Sequence, residues 1–166
     1  MEQRSNSAGR AVAPRDYSFR NLTLWKKGQD LALDVIRLTD QLPRVRSADV
    51  IARQVVRSAS SVPANIAEGH GRYSMAAYRN HLSIARGSVA ETITWLDLLA
   101  RAGHIPCEAE ANLSSGCDEL MAGLTSQMRA LSTKIAAEGG PRVGENRPDY
   151  RSRGDYEDDD LEFEVL

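Results

Sequence analysis

An all-α, up-down-up-down four-helix bundle with disordered N- and C-terminal tails is the fold this sequence predicts. Two observations carry the prediction. Apolar residues recur at helical spacing in four long runs between Leu22 and Ile135, Gly or Pro punctuates them, and no alternating β-branched run intervenes. Outside those runs the composition changes. Residues 1–20 hold Ser, Asn, Gly, Pro and Arg without periodicity, and from Gly139 the chain is Gly- and Pro-rich and then acidic. Such segments bury too little apolar surface to offset chain entropy. The expected organisation is a disordered tail over 1–20, the bundle over 21–138, and a linker with an acidic tail over 139–166.

The first helix is expected from Leu22 or Leu24 to Leu42, on the stripe Leu24, Leu31, Val35, Leu38 and Leu42, with Pro43 as its stop. Gly28 either weakens its first turns or lets a neighbouring backbone approach. The second starts near Ser47 as cap and buries Ile51, Val55, Ala59, Val62 and Ile66, with Gly69 and Gly71 as terminators. Small Ala64 and Ala67 suit close approach by another helix.

Pro63 lies inside this second run, where proline costs roughly 3 kcal/mol and removes a backbone donor. The third helix takes Ser74 as cap and runs to Arg101 or Ala102 on Tyr78, Leu82, Ala85, Val89, Leu96 and Leu99, before Gly103. Gly87 in its middle is explained most simply by tight packing. The fourth starts at Pro106 and follows Leu113, Cys117, Leu120, Leu124, Met128, Leu131 and Ile135.

The net charge of -2 conceals a division. Residues 155–166 carry seven acidic groups and no basic one, and without them 21 basic groups face 16 acidic ones. The middle of the chain is arginine-rich, with Arg44, Arg46, Arg53, Arg57, Arg72, Arg79 and Arg86. A positive surface is therefore expected where whole-chain charge shows none. Two cysteines fit a reducing, cytoplasmic compartment, and neither a secretory leader nor a membrane span is expected.

The residue patterns disfavour catalysis. His70, His81 and His104 are scattered, with no His-x-x-x-His, Glu-x-x-His or Cys-x-x-Cys spacing, so no metal or other cofactor is expected. Gly69-His70-Gly71 lacks the strand and the Lys-Ser/Thr of a phosphate loop, and no serine has a nucleophile-elbow context.

Binding is the expected role. Arg53, Arg57, Arg79 and Arg86 fall on the second and third helices and are the candidate nucleic-acid contacts, acting through phosphate rather than sequence. The bland alternative is a solvated face or subunit salt bridges. Asn65, Glu68 and Arg72 share one side of the second helix's end. A structural polar cluster explains them best, Asn65 satisfying groups loosened by Pro63 and Glu68 pairing with an arginine.

The runs Leu22–Gly28, Gln54–Arg72 (with Pro63-Ala64-Asn65-Ile66-Ala67-Glu68-Gly69 at its heart) and Ile84–Glu91, with the stretch Leu96–Gly103, resemble the bacterial four-helix-bundle proteins encoded within intervening sequences of 23S rRNA genes. That family is similar in fold to the accessory variability protein of diversity-generating retroelements. The resemblance implies a homopentamer and, as partners, RNA or DNA or a protein such as a reverse transcriptase. The alternative is a protein-interaction scaffold whose arginines are structural and whose acidic tail recruits a partner. The tail also carries Tyr156, Leu161, Phe163, Val165 and Leu166, apolar anchors that imply docking on a basic surface.

Overall fold

The computed structural model describes residues 18–139, so the tail expectations for 1–17 and 140–166 lie outside the described residues, whereas Ser18, Phe19 and Arg20, expected in the N-terminal tail, enter an ordered turn. A 3-10 turn, Phe19–Asn21, precedes four helices: α1 (Thr23–Thr39), α2 (Arg46–His70), α3 (Met75–Arg101) and α4 (Cys107–Ala137). Each packs on the next, and α4 closes back on α1. Cross-helix pairs fix the directions. Ser58 meets Thr92 and Ser61 meets Ser88, while Lys27 meets Glu119 and Leu24 reaches Gly123, so these neighbours are antiparallel. The start of α1, the end of α2, the start of α3 and the end of α4 thus share one end of an up-down-up-down bundle.

The expected stripes form the core. Val35, Val55, Ala59, Val62, Ile66, Leu82, Ala85, Val89, Leu96, Leu99, Cys117 and Leu124 are fully buried. Ser74 caps α3 as expected, its hydroxyl accepting from Ala77 N–H at 3.1 Å. At the other end of α3, His104 N–H donates to Leu99 C=O and Gly103 N–H to Ala100 C=O, with Gly103 at φ 71°, the Schellman arrangement that favours glycine.

Several local expectations change. Helix α1 stops at Thr39 rather than Leu42, because Pro43 drives Leu42 out of helical geometry and Thr39 Oγ1 already turns back to Ile36 C=O. Ser47 does not cap α2. The helix starts two residues earlier, behind Val45, and Ser47 Oγ instead sits 3.0 Å from His104 Nε2, tying α2 to the loop after α3. Gly69 does not end α2 but lies within it, buried against α3: a Cβ there would fall 2.6 Å from His81 Cβ and 2.9 Å from Tyr78 Cδ2. Gly28 is a close-approach glycine, its missing Cβ facing the Pro63 ring at 3.4 Å. Gly87 has no neighbour within 4 Å of a Cβ, so packing inside the protomer does not explain it.

Candidate nucleic-acid interface

The four arginines singled out in the sequence do not form one cluster. Arg57 turns towards α3, donating from Nη2 to Glu91 Oε1 at 2.6 Å and from Nε to Gln54 Oε1 at 3.2 Å. Glu91 also accepts from Trp95 Nε1 at 3.3 Å. An exposed pair of this kind contributes about 0–1 kcal/mol, and the Glu91 carboxylate offsets the Arg57 charge that a ligand would meet. Arg53, one turn earlier, is exposed and makes no ion pair among the described residues.

Arg79 and Arg86 lie on the opposite flank of α3, where they face α4. With Arg129 they line a groove of about 540 Å³ whose remaining walls are Thr125, Met128, Ser132 and Thr133. Among the described residues no carboxylate lines it. Arg79 Nε is shielded from solvent and meets no acceptor, a donor left unsatisfied inside a charged group. The three hydroxyls donate to the carbonyls one turn back, Thr125 to Met121, Ser132 to Met128 and Thr133 to Arg129. Rotation about the C–O bond can release each proton from its carbonyl for an anionic ligand. Among the described residues these three guanidiniums have no counter-charge, so the hollow favours an anion.

Arg129 was missed in the sequence reading. The signal was present: Thr125, Ser132 and Thr133 stand four before, three after and four after Arg129, one polar face of a helix. What was not readable was that this face meets the Arg79–Arg86 flank.

Asn65, Glu68 and Arg72 do share one side, as separate pairs. Both Asn65 amide hydrogens go to Ser61, to its carbonyl at 2.8 Å and its hydroxyl at 2.9 Å. The carbonyl that Pro63 deprives of a donor is that of Ala59, so Asn65 does not repair the proline defect as expected. It instead anchors a polar seam: Ser88 Oγ donates to Ser61 Oγ at 3.1 Å, and Thr92 Oγ1 to the buried Ser58 Oγ at 2.9 Å. Glu68 accepts from Arg72, and His81 Nε2 stands 3.9 Å from the same oxygen.

A smaller hollow between α1 and α4 is lined by Lys27, Asp30, Asp34 and Glu119 among others. There Lys27 donates to Glu119 Oε2 at 2.5 Å, and its hydrogen bond and charge hold the Glu119 carboxyl below its ordinary pKa. Among the described residues no group of His, Cys, Asp and Glu is arranged to hold a metal, and no helix is long and apolar enough to cross a membrane.

Residues 20–126 match the family of 23S rRNA-intervening sequence proteins. The chain belongs to that family. A crystal structure of a protein of unknown function from the S23 ribosomal protein family of Bacteroides thetaiotaomicron is similar to it, with 30% identity and a TM-score of 0.60. The likeness covers 63% of this chain and 97% of that one. No curated protein matches. Neither description mentions a diversity-generating retroelement or a reverse transcriptase. For this intervening-sequence protein, the matched region takes in α1, α2, α3 and most of α4, and so contains Arg79 and Arg86 but stops short of Arg129.

Proposed function

We propose that this intervening-sequence protein is a non-enzymatic, homo-oligomeric bundle that binds nucleic acid through phosphate contacts in the α3–α4 groove. The observation that carries the reading is the set Arg79, Arg86 and Arg129 around one hollow that no carboxylate lines among the described residues. A guanidinium binds phosphate through two parallel hydrogen bonds, and such contacts give affinity without reading bases. Three per protomer are few. A ring of five, the assembly the resemblance implies, repeats them and gives strongly salt-dependent binding. The family's description ties its members to the 23S rRNA gene, which makes RNA the first ligand to try. A reverse transcriptase is the protein partner that the fold resemblance puts first.

Fluorescence anisotropy tests this with RNA and DNA of about 20 nucleotides at roughly 50 and 200 mM salt, on wild type and on the triple variant R79Q/R86Q/R129Q. Wild type is expected to bind both weakly and without sequence preference. The variant should lose more than about tenfold in affinity at unchanged helical content and show a shallower salt slope. No binding by wild type at low salt, even with the charges of residues 155–166 neutralised, overturns the reading. The scaffold alternative is favoured by the Arg57–Glu91 and Arg72–Glu68 pairs, which consume arginine charge structurally. It predicts equal behaviour of wild type and triple variant.

A further inference from the structure

We infer that the α3–α4 groove is the docking site of this chain's own acidic C-terminal segment, residues 155–166, which occupies it in competition with nucleic acid. The inference rests on reading the groove as an anion site. It names the anion as a part of the same protein.

Charge complementarity is the first argument. The groove offers Arg79, Arg86 and Arg129 with no carboxylate among the described residues of its lining, and the segment offers seven acids and no base. Charge-assisted bonds from arginine to carboxylate satisfy both sides.

Apolar complementarity is the second. Met128 lines the groove, and through Thr125 and Arg129 it continues into a second hollow on α4 walled by Met121 and Ala122. Leu161 and Phe163 alternate with the acids Asp160, Glu162 and Glu164. In an extended segment such alternation puts acids on one side and apolar side chains on the other. Pliable methionine surface suits the apolar side. Asp118 at the far end of the second hollow sets a limit, repelling the segment there and favouring the arginine end.

Reach is the third. Helix α4 ends at Ala137, and Gly139 at φ 69° turns the chain out of it. Arg129 lies ten residues before Gly139, about 15 Å back along the helix axis. The fifteen residues 140–154 include Gly and Pro, and a chain of that length, were it flexible, would have a root-mean-square span of about 20 Å. The tether therefore presents the segment to the groove at an effective concentration of order millimolar. Weak contacts suffice at that concentration, and a nucleic acid must displace the segment to bind.

Arginine footprinting tests this on the full chain without any nucleic acid. Wild type is compared with D158N/D159N/D160N/E162Q, each treated with phenylglyoxal at about 50 mM salt and mapped by mass spectrometry. Arg79, Arg86 and Arg129 should react at least about fivefold more slowly in wild type, as expected for a segment docked most of the time. Exposed Arg44 and Arg46, on the loop side of α2's start, serve as internal controls and should not change. The protection should vanish at about 0.5 M salt and be independent of protein concentration. Equal rates in the two proteins overturn the inference, as does protection that grows with concentration, which would place the segment on a separate assembly.

RNA anisotropy on the same two proteins separates this result from the nucleic-acid reading. Protection without RNA binding by the neutralised variant upholds docking and sinks that reading. Equal footprints with RNA binding do the reverse.

Discussion

Burial decides the chemistry of the two cysteines, which the sequence leaves equivalent. Cys107 opens α4 and is exposed, whereas Cys117 is buried and its thiol is pushed up to about 12 by desolvation, with the Asp118 and Glu110 charges adding to the rise. At about pH 8 one thiol per chain should react quickly with a disulfide reagent and the other only on unfolding. Replacing Cys107 by Ser should remove the fast phase, and two equally fast thiols would contradict the burial. The sign for stability follows. The folded thiol keeps its proton after the unfolded one has lost it, so the Cys117 contribution is intact below ~8.5 and is lost as pH climbs towards 12. The identity of Cys117 as a core position was legible from its place in the Leu113–Leu120–Leu124 stripe. That of Asn65 was legible only as polar and half-buried, since its partner Ser61 depends on rotamer choice.

Helix pairing is where two glycines of similar appearance part. Gly69 stands where a methyl group would collide with His81 Cβ and the Tyr78 ring, atoms close to the α3 backbone, so Gly69→Ala should destabilise by about 1–3 kcal/mol. Gly87 faces open space in mid-helix, so in a monomer Gly87→Ala should stabilise by up to ~1 kcal/mol. Urea unfolding of both variants checks the contrast, and a stabilising Gly69→Ala would refute the close α2–α3 contact. Sequence periodicity located both helices and their buried stripes. It could not separate a packing glycine from an idle one, because the difference lies on the opposing helix.

Across the whole molecule, apolar surface remains that one bundle does not cover. Ile84, 49% exposed, borders Gly87 on an outward α3 face where Asn80, Ser83, Ala90 and Thr94 are also exposed and uncharged, beside Glu91 in its pair with Arg57, and Leu98, 40% exposed, lies three turns further along. In the proposed homo-oligomer, self-association through this face would give Gly87 the packing role it lacks inside the protomer. Gly87→Trp should then shift the assembly to monomer in light scattering while the helical content holds. A monomeric wild type at micromolar concentration would remove the oligomer from the proposal. An intact oligomer in Gly87→Trp would move the interface elsewhere, with exposed Leu33 and Ile36 on α1 the next surface to test.

The sequence by itself determined what is local: four helices, their buried stripes, the Ser74 cap, the Gly103 stop and the arginine-rich middle. Each depends on residues within one or two turns of one another, where spacing is enough to place a side chain on a face. Tertiary structure decided which faces meet. It put Arg57 against Glu91, which removed it from the free arginines, and it brought Arg129 of α4 across from Arg79 and Arg86 of α3. Those outcomes turn on the rotation and register of neighbouring helices, set by contacts such as Gly28 on Pro63 and Gly69 on His81. No spacing along a single helix encodes them, and the groove that carries the proposed function exists only because of them.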